Sequence, residues 1–201
     1  MRRSPPCRAL LMSLVTWLVT GLMAGTANAD EAAWRALERG RAIVLLRHAV
    51  TEAGIGDPPG FTIGKCETQR NLSEQGRRDA LRIGEAFKVR KIPISDVLSS
   101  RWCRCVDTAT LAFGRATPAP MLDSMFNEES KARVRKVNLV RDAIMQRQRA
   151  GKTSGNLILV THQQNILAIA DVSPASGEMI VTEADGKGTL HVIGRIGPDE
   201  Y

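Results

Sequence analysis

"IVLLRHAV", residues 43–50, runs four apolar residues straight into an arginine and a histidine. A short apolar run containing Ile and Val reads as a strand buried on both faces. Its end on two cationic side chains has to be explained by what they meet there. The flanking sequence supplies the frame. Residues 49–71 are dense in Gly and Pro, and a loop of this length in a compact domain is usually functional. "SEQGRRDALRIGEAFKVRK" (73–91) follows as a helix with Ser73 at its N-cap and Ala80, Leu81, Ile83, Gly84 and Phe87 on one face. "SDVLSS" (95–100) is a second strand, and "CRCVDTATLAF" (103–113) continues as a helix. A long amphipathic helix is expected over 130–150. A third buried strand, "LILVT", is expected over 157–161, then a short helix "QQNILAIA" (163–170) and a closing hairpin around Asp185-Gly186. Strands alternating with helices predict an α/β fold, a three-layer sandwich whose mostly parallel central sheet is flanked by helices.

In open α/β sheets ligands bind beyond the carboxyl ends of the strands. Arg47-His48 and Thr161-His162 both fall at such ends, and Arg104 falls in the first turn of the helix that follows the second strand. Taken singly, each has a plain structural reading: a strand-end histidine makes a hydrogen bond, Arg47 snorkels, and Arg104 pairs with Asp107 at helical spacing. His191, alone in the hairpin, fits such a reading. Together, three strand ends deliver cations to one rim, which suits a dense anion such as a phosphoryl group. A neutral imidazole can attack phosphorus while the guanidinium groups neutralise the oxygens. Nearby arginines keep that imidazole unprotonated.

The amino terminus reads as an export signal. Arg2, Arg3 and Arg8 precede the apolar stretch "ALLMSLVTWLVTGLM", and "ANA" then offers a cleavage site after Ala29. The apolar stretch is shorter than the roughly 20 residues of a membrane span. The expected layout is a signal peptide over 1–29 and one domain over 30–201, periplasmic or secreted, with no stable membrane anchor after cleavage. Losing three leader arginines lowers the net charge from +7 to +4. The basic run "KARVRK" (131–136) has no interleaved aromatics, so it reads as a solvated helix face and gives nucleic-acid binding no support. Cys66, Cys103 and Cys105 remain in an oxidising compartment, which predicts one disulfide, from Cys66 to Cys103 or Cys105. No metal-ligand spacing stands out, and no cofactor is called for.

These motifs resemble a known family. "LLRHA" is similar to the RHG signature of the histidine phosphatase superfamily, and "SSRWCRCVDTA" and "VTHQQ" resemble the SSPLxRAxxTA and VSHGG segments of its phosphoglycerate mutase-like branch. "NLSEQGRRDA" resembles that branch's LTxxGxxQA. The resemblance spans residues 41–171 and implies a metal-independent phosphomonoesterase. In it His48 would be the nucleophile, with Arg47, Arg104 and His162 as the phosphate pocket and Thr51 as a further phosphate contact. Ala49 replaces the usual Gly, Gly54 stands where Asn is common, and Ser124 occupies the position of the usual proton-donating carboxylate. Glu128 and Asp57 are the leading substitutes, with Asp123 and Glu178 behind them. The expected substrate is a small-molecule or glycan phosphate. A non-catalytic binder of phosphorylated glycans or lipid headgroups is the alternative. A phosphoglycerate mutase fits an exported protein poorly.

Overall fold

Strand β1 (Ile43–Arg47) occupies the middle of the sheet, which is why four successive residues can be apolar: Val44 and Leu46 enter one hydrophobic core while Ile43 and Leu45 enter another. The computed structural model describes residues 24–151 and 154–201. β1 pairs in parallel with β4 (Asn156–Thr161) and antiparallel with β5 (Met179–Ala184). β2 (Ile94–Ser99) runs parallel to β4 and to the two-residue β3 (Thr117–Pro118), and β6 (Leu190–Ile196) closes the opposite edge antiparallel to β5. The sheet order is β3-β2-β4-β1-β5-β6. The register sets Arg47 beside Thr161 and Ser99 beside Val160, so β1, β4 and β2 end level.

Helices cover both faces. Ala33, Trp34 and Leu37 of α1 (Ala24–Glu38), Ile83 and Phe87 of α2 (Glu74–Val89), and Cys105 and Ala109 of α3 (Cys103–Phe113) fill the core on the Val44 side. Val137, Val140 and Ile144 of α4 (Ser130–Arg149), with Ile166 and Ile169 of α5 (Gln163–Ala170), fill the other. This is the expected three-layer α/β arrangement. The Ser73 hydroxyl accepts from the Gly76 amide as the predicted cap. Gly76 is required for a further reason: a Cβ there would stand 1.9 Å from the Val50 carbonyl, so α2 docks directly on the chain just past His48.

The structure departs from the sequence reading in three places. α1 is an added helix, and its Ala33-Trp34-Leu37 spacing was the available signal. Leu81 is 54% exposed, because it lies about 100° around the helix from Ala80, outside the arc shared by Ala80, Ile83 and Phe87. β3 is too short to leave a sequence pattern. Of the expected signal peptide, residues 1–23 lie outside the described residues, and α1 runs through the expected cleavage point at Ala29. No helix among the described residues is long and apolar enough to cross a membrane.

The disulfide joins Cys66 to Cys103, with Cα atoms 5.6 Å apart. Across a sequence separation of 37 residues it contributes about 4 kcal/mol by limiting the unfolded chain. Cys105 is free and buried, and burial pushes its thiol up to about 12. The bond ties the loop after β1 to the first turn of α3, where the Gln69 side-chain carbonyl also accepts from the Cys103 amide.

Candidate active site

The level strand ends bring the predicted residues together. The His48 amide donates to the Thr161 carbonyl and the Ser100 amide to the Val160 carbonyl, so the chain segments leaving β1, β4 and β2 lie side by side. The rings of His48 and His162 meet edge to face with centroids 5.4 Å apart. Both are buried. Nδ1 of His48 lies 2.9 Å from the Ala49 carbonyl, which can only accept, so the proton sits on Nδ1 and Nε2 keeps its lone pair. Burial first, and then the charges of Arg104, Arg47 and Arg70, lower the His48 pKa to about 3. Burial likewise holds His162 well below the ordinary imidazole value, aided by His48 and Arg104. Nε2 of His162 shares a 2.9 Å hydrogen bond with the Ser100 hydroxyl, leaving Nδ1 for a ligand.

Arg47 ends β1 with Nη1 donating to the Pro174 carbonyl at 2.8 Å. Arg104, 4% exposed, does not pair with Asp107, which is bound by Arg77. Its partner is Asp57, from the loop after β1, at 2.7 Å through Nη1 and 3.2 Å through Nη2. Asp57 also accepts from the Trp102 indole and the Arg70 amide. Burial pushes the Asp57 carboxyl up, but the hydrogen bonds from Arg104 and Trp102 and the Arg104 charge outweigh it and hold the group below its usual range. A carboxyl so held is ionised near neutral pH. As a proton donor Asp57 is therefore unsuited, and its place is beneath Arg104.

Thr51 forms an isolated bridge with Leu72. Glu128 pairs with Lys136 at 2.5 Å and lines a cavity of about 400 Å³ with Trp102, Met121 and Leu139. Asp123 is bound by Arg101, and Glu178 by Arg195. His191 is exposed and faces Asp185 at 3.5 Å, as befits a surface histidine of the hairpin. The sequence reading missed Arg70. Its charge acts on both His48 and Arg47. It sits in the long irregular loop after β1 with no periodicity to mark it, and the length of that loop was the one signal available.

Residues 43–130, which include His48 and Arg104, match the sequence profile of the histidine phosphatase superfamily, branch 1. Over that stretch the chain is similar to members of that superfamily. Among solved structures it is similar to the protein histidine phosphatase SixA bound to tungstate, at 14% identity and a TM-score of 0.56, over 79% of this chain and 97% of that one. It is also similar to a mycobacterial glucosyl-3-phosphoglycerate phosphatase, at 15% identity and a TM-score of 0.54, over 76% of this chain and 95% of that one. A phosphoserine phosphatase from Entamoeba histolytica, solved with 3-phosphoglyceric acid, aligns at 12% identity and a TM-score of 0.54, over 77% and 95% of the two chains. No curated protein matches it in sequence. The fold shared with these structures brings His48, His162, Arg47 and Arg104 to one rim.

Two buried neutral imidazoles should make the protein acid-labile. Above about pH 6.5, the ordinary imidazole value, neither folded nor unfolded chain protonates them and their contribution to stability is flat. Between 6.5 and about 3 the unfolded chain binds protons that the folded His48 refuses, so stability falls as pH falls. With His162 acting in the same direction the slope approaches roughly 2.7 kcal/mol per pH unit. Urea midpoints measured from pH 7 to pH 5 should drop accordingly, and His48→Ala should remove about half of the slope. A midpoint that stays constant over this window would contradict neutral burial of the pair.

Proposed function

We propose that the protein is an exported phosphomonoesterase that hydrolyses a sugar or glycan phosphate through a phosphohistidine on His48, without a metal ion. The observation that carries this reading is the unprotonated, buried His48, with Nε2 free and the guanidinium groups of Arg47 and Arg104 beside it. Nε2 attacks phosphorus, the bond from phosphorus to the ester oxygen breaks, and the departing oxygen takes the electron pair. Water then attacks the phosphohistidine, the P–N bond breaks, and inorganic phosphate leaves. Arg47, Arg104 and His162 hold the oxygens as charge shifts between them. The glucosyl-3-phosphoglycerate phosphatase among the similar structures supports a sugar-bearing substrate, and the leader-like first 29 residues support export.

A non-catalytic binder of phosphorylated glycans or lipid headgroups is the second reading. It is favoured by the ion pairs that engage Asp57, Asp123, Glu128 and Glu178. It leaves unexplained why an imidazole nitrogen is kept free beside the arginines. The deciding experiment incubates the purified chain beginning at Asp30 with a panel of phosphate esters, with and without EDTA. Turnover that survives the chelator is expected. Phosphate binding without turnover would establish the binder, and loss of turnover in EDTA with rescue by a divalent ion would overturn the metal-free mechanism. Export predicts an N-terminus at Asp30 in the periplasmic or secreted fraction, and a retained leader there would contradict it.

A further inference from the structure

Three buried nitrogens without a hydrogen-bond partner among the described residues are of one kind: the Nε–H groups of Arg47, Arg70 and Arg104. A buried donor with no acceptor is uncommon and costly. All three guanidinium groups are anchored through Nη1, to the Pro174 carbonyl at 2.8 Å, the Gly54 carbonyl at 2.7 Å and Asp57 at 2.7 Å respectively. In a guanidinium, Nε–H and one N–H of Nη2 point the same way and form a fork. Arg104 gives its opposite edge, Nη1 with Nη2, to Asp57, and its remaining Nη1 hydrogen to the Arg70 carbonyl at 3.3 Å. Its Nε edge stays open. Arg47 and Arg70 keep the same edge open, and the three cations lie close enough that Arg70 acts on Arg47 and Arg104 acts on Arg70.

We propose that Arg70 is a third phosphoryl-binding residue, presenting its Nε edge to the same group that Arg47 and Arg104 hold. The assignment deepens the phosphatase reading and rests on it for the identity of the anion. A phosphoryl group in transfer has three non-bridging oxygens, and three guanidinium forks can serve all of them. The charges also match, since three arginines offset by Asp57 leave two positive charges against a phosphate dianion. Asp57 is then a positioning residue that turns the Nε edge of Arg104 toward the ligand. A purely structural Arg70, strapping the Glu52–Gly54 turn, would need only the Nη1 bonds to those carbonyls and would leave its buried Nε without purpose.

The test uses orthovanadate, which adopts the geometry of the transferring phosphoryl group, and p-nitrophenyl phosphate. R70Q is expected to weaken vanadate inhibition about 10²-fold and to lower kcat/KM by a similar factor. R70K keeps the charge and can reach the Gly54 carbonyl but has no fork, so it should recover only about a tenth of the wild-type value. Unchanged vanadate affinity in R70Q, or full recovery in R70K, would overturn the assignment. R70A guards against a folding defect. Added methylguanidinium should restore part of its activity if the missing group touches phosphate, and a folded R70A that cannot be rescued would argue for the strap. A wild-type chain that hydrolyses nothing yet binds vanadate through Arg70 would sink the hydrolase reading and leave this one standing.

Discussion

His48→Ala is expected to lower kcat by at least ~10³ on every phosphate ester the protein hydrolyses, because the variant has no nitrogen to accept the phosphoryl group. Its neighbours are poor substitutes. His162 and the Ser100 hydroxyl are hydrogen-bonded to each other, and Cys105 is buried with its thiol pushed up to about 12. The fold should survive, since the side-chain bond of His48 is a local one to the adjacent Ala49 carbonyl. Circular dichroism and vanadate binding would verify that the pocket persists. Acid quenching of the wild-type enzyme during turnover of a ³²P-labelled ester should trap label on the protein, and His48→Ala should trap none. Normal hydrolysis by the variant would refute a histidine nucleophile outright. The pH profile of kcat/KM separates the nucleophile from the substrate: burial and the arginines hold the free protein's His48 far below the ordinary imidazole value, so an acid limb near pH 6 is expected to come from the substrate and not from His48.

What was legible in the sequence was what a local pattern can encode. β1 and β4 are continuous apolar runs because helices cover both faces of the sheet around them. The strand-end rule then placed Arg47, His48 and His162 on one rim before any distance was known. Arg70, and the pairing of Asp57 with Arg104, escaped because both are set across the chain. Asp57 reads as a loop carboxylate until Arg104, 47 residues away, is seen to bind both its oxygens. Arg70 enters the site because its guanidinium anchors on Gly54 and because the Cys66–Cys103 bond pins its loop to α3. Two pairings of Cys66 were equally open in sequence. The turn of α3 decides between them, since Cys103 faces the loop while Cys105 points into the core toward the Thr161 carbonyl.

The same ion pairs change the expectation for the proton donor, and with it the second large effect. An alkoxide leaves poorly unless it is protonated, and general acid catalysis typically contributes about 10² to 10⁴. A secreted hydrolase meeting mainly sugar or lipid phosphates, whose alkoxides leave poorly, favours a donor, Glu128 or Asp57, and hence a shallow dependence of rate on leaving group. In the structure Arg104 binds both oxygens of Asp57 and holds its carboxyl below the usual range, and Glu128 is engaged by the Lys136 ammonium at 2.5 Å rather than free to meet a leaving group. A steep dependence is therefore expected, with kcat on an aryl phosphate exceeding that on a comparable alkyl phosphate by about 10² to 10⁴. The amide variants locate any donor that does act. Glu128→Gln should leave the aryl-to-alkyl ratio unchanged. Asp57→Asn should slow both esters by one common factor, about 10-fold or more, because it frees Arg104 to turn away from the phosphoryl group whatever the leaving oxygen. A variant that slows the alkyl ester selectively would identify its residue as the acid. For Asp57 that result would also require the carboxyl to be protonated in the substrate complex, which a phosphate dianion displacing it from Arg104 would make possible.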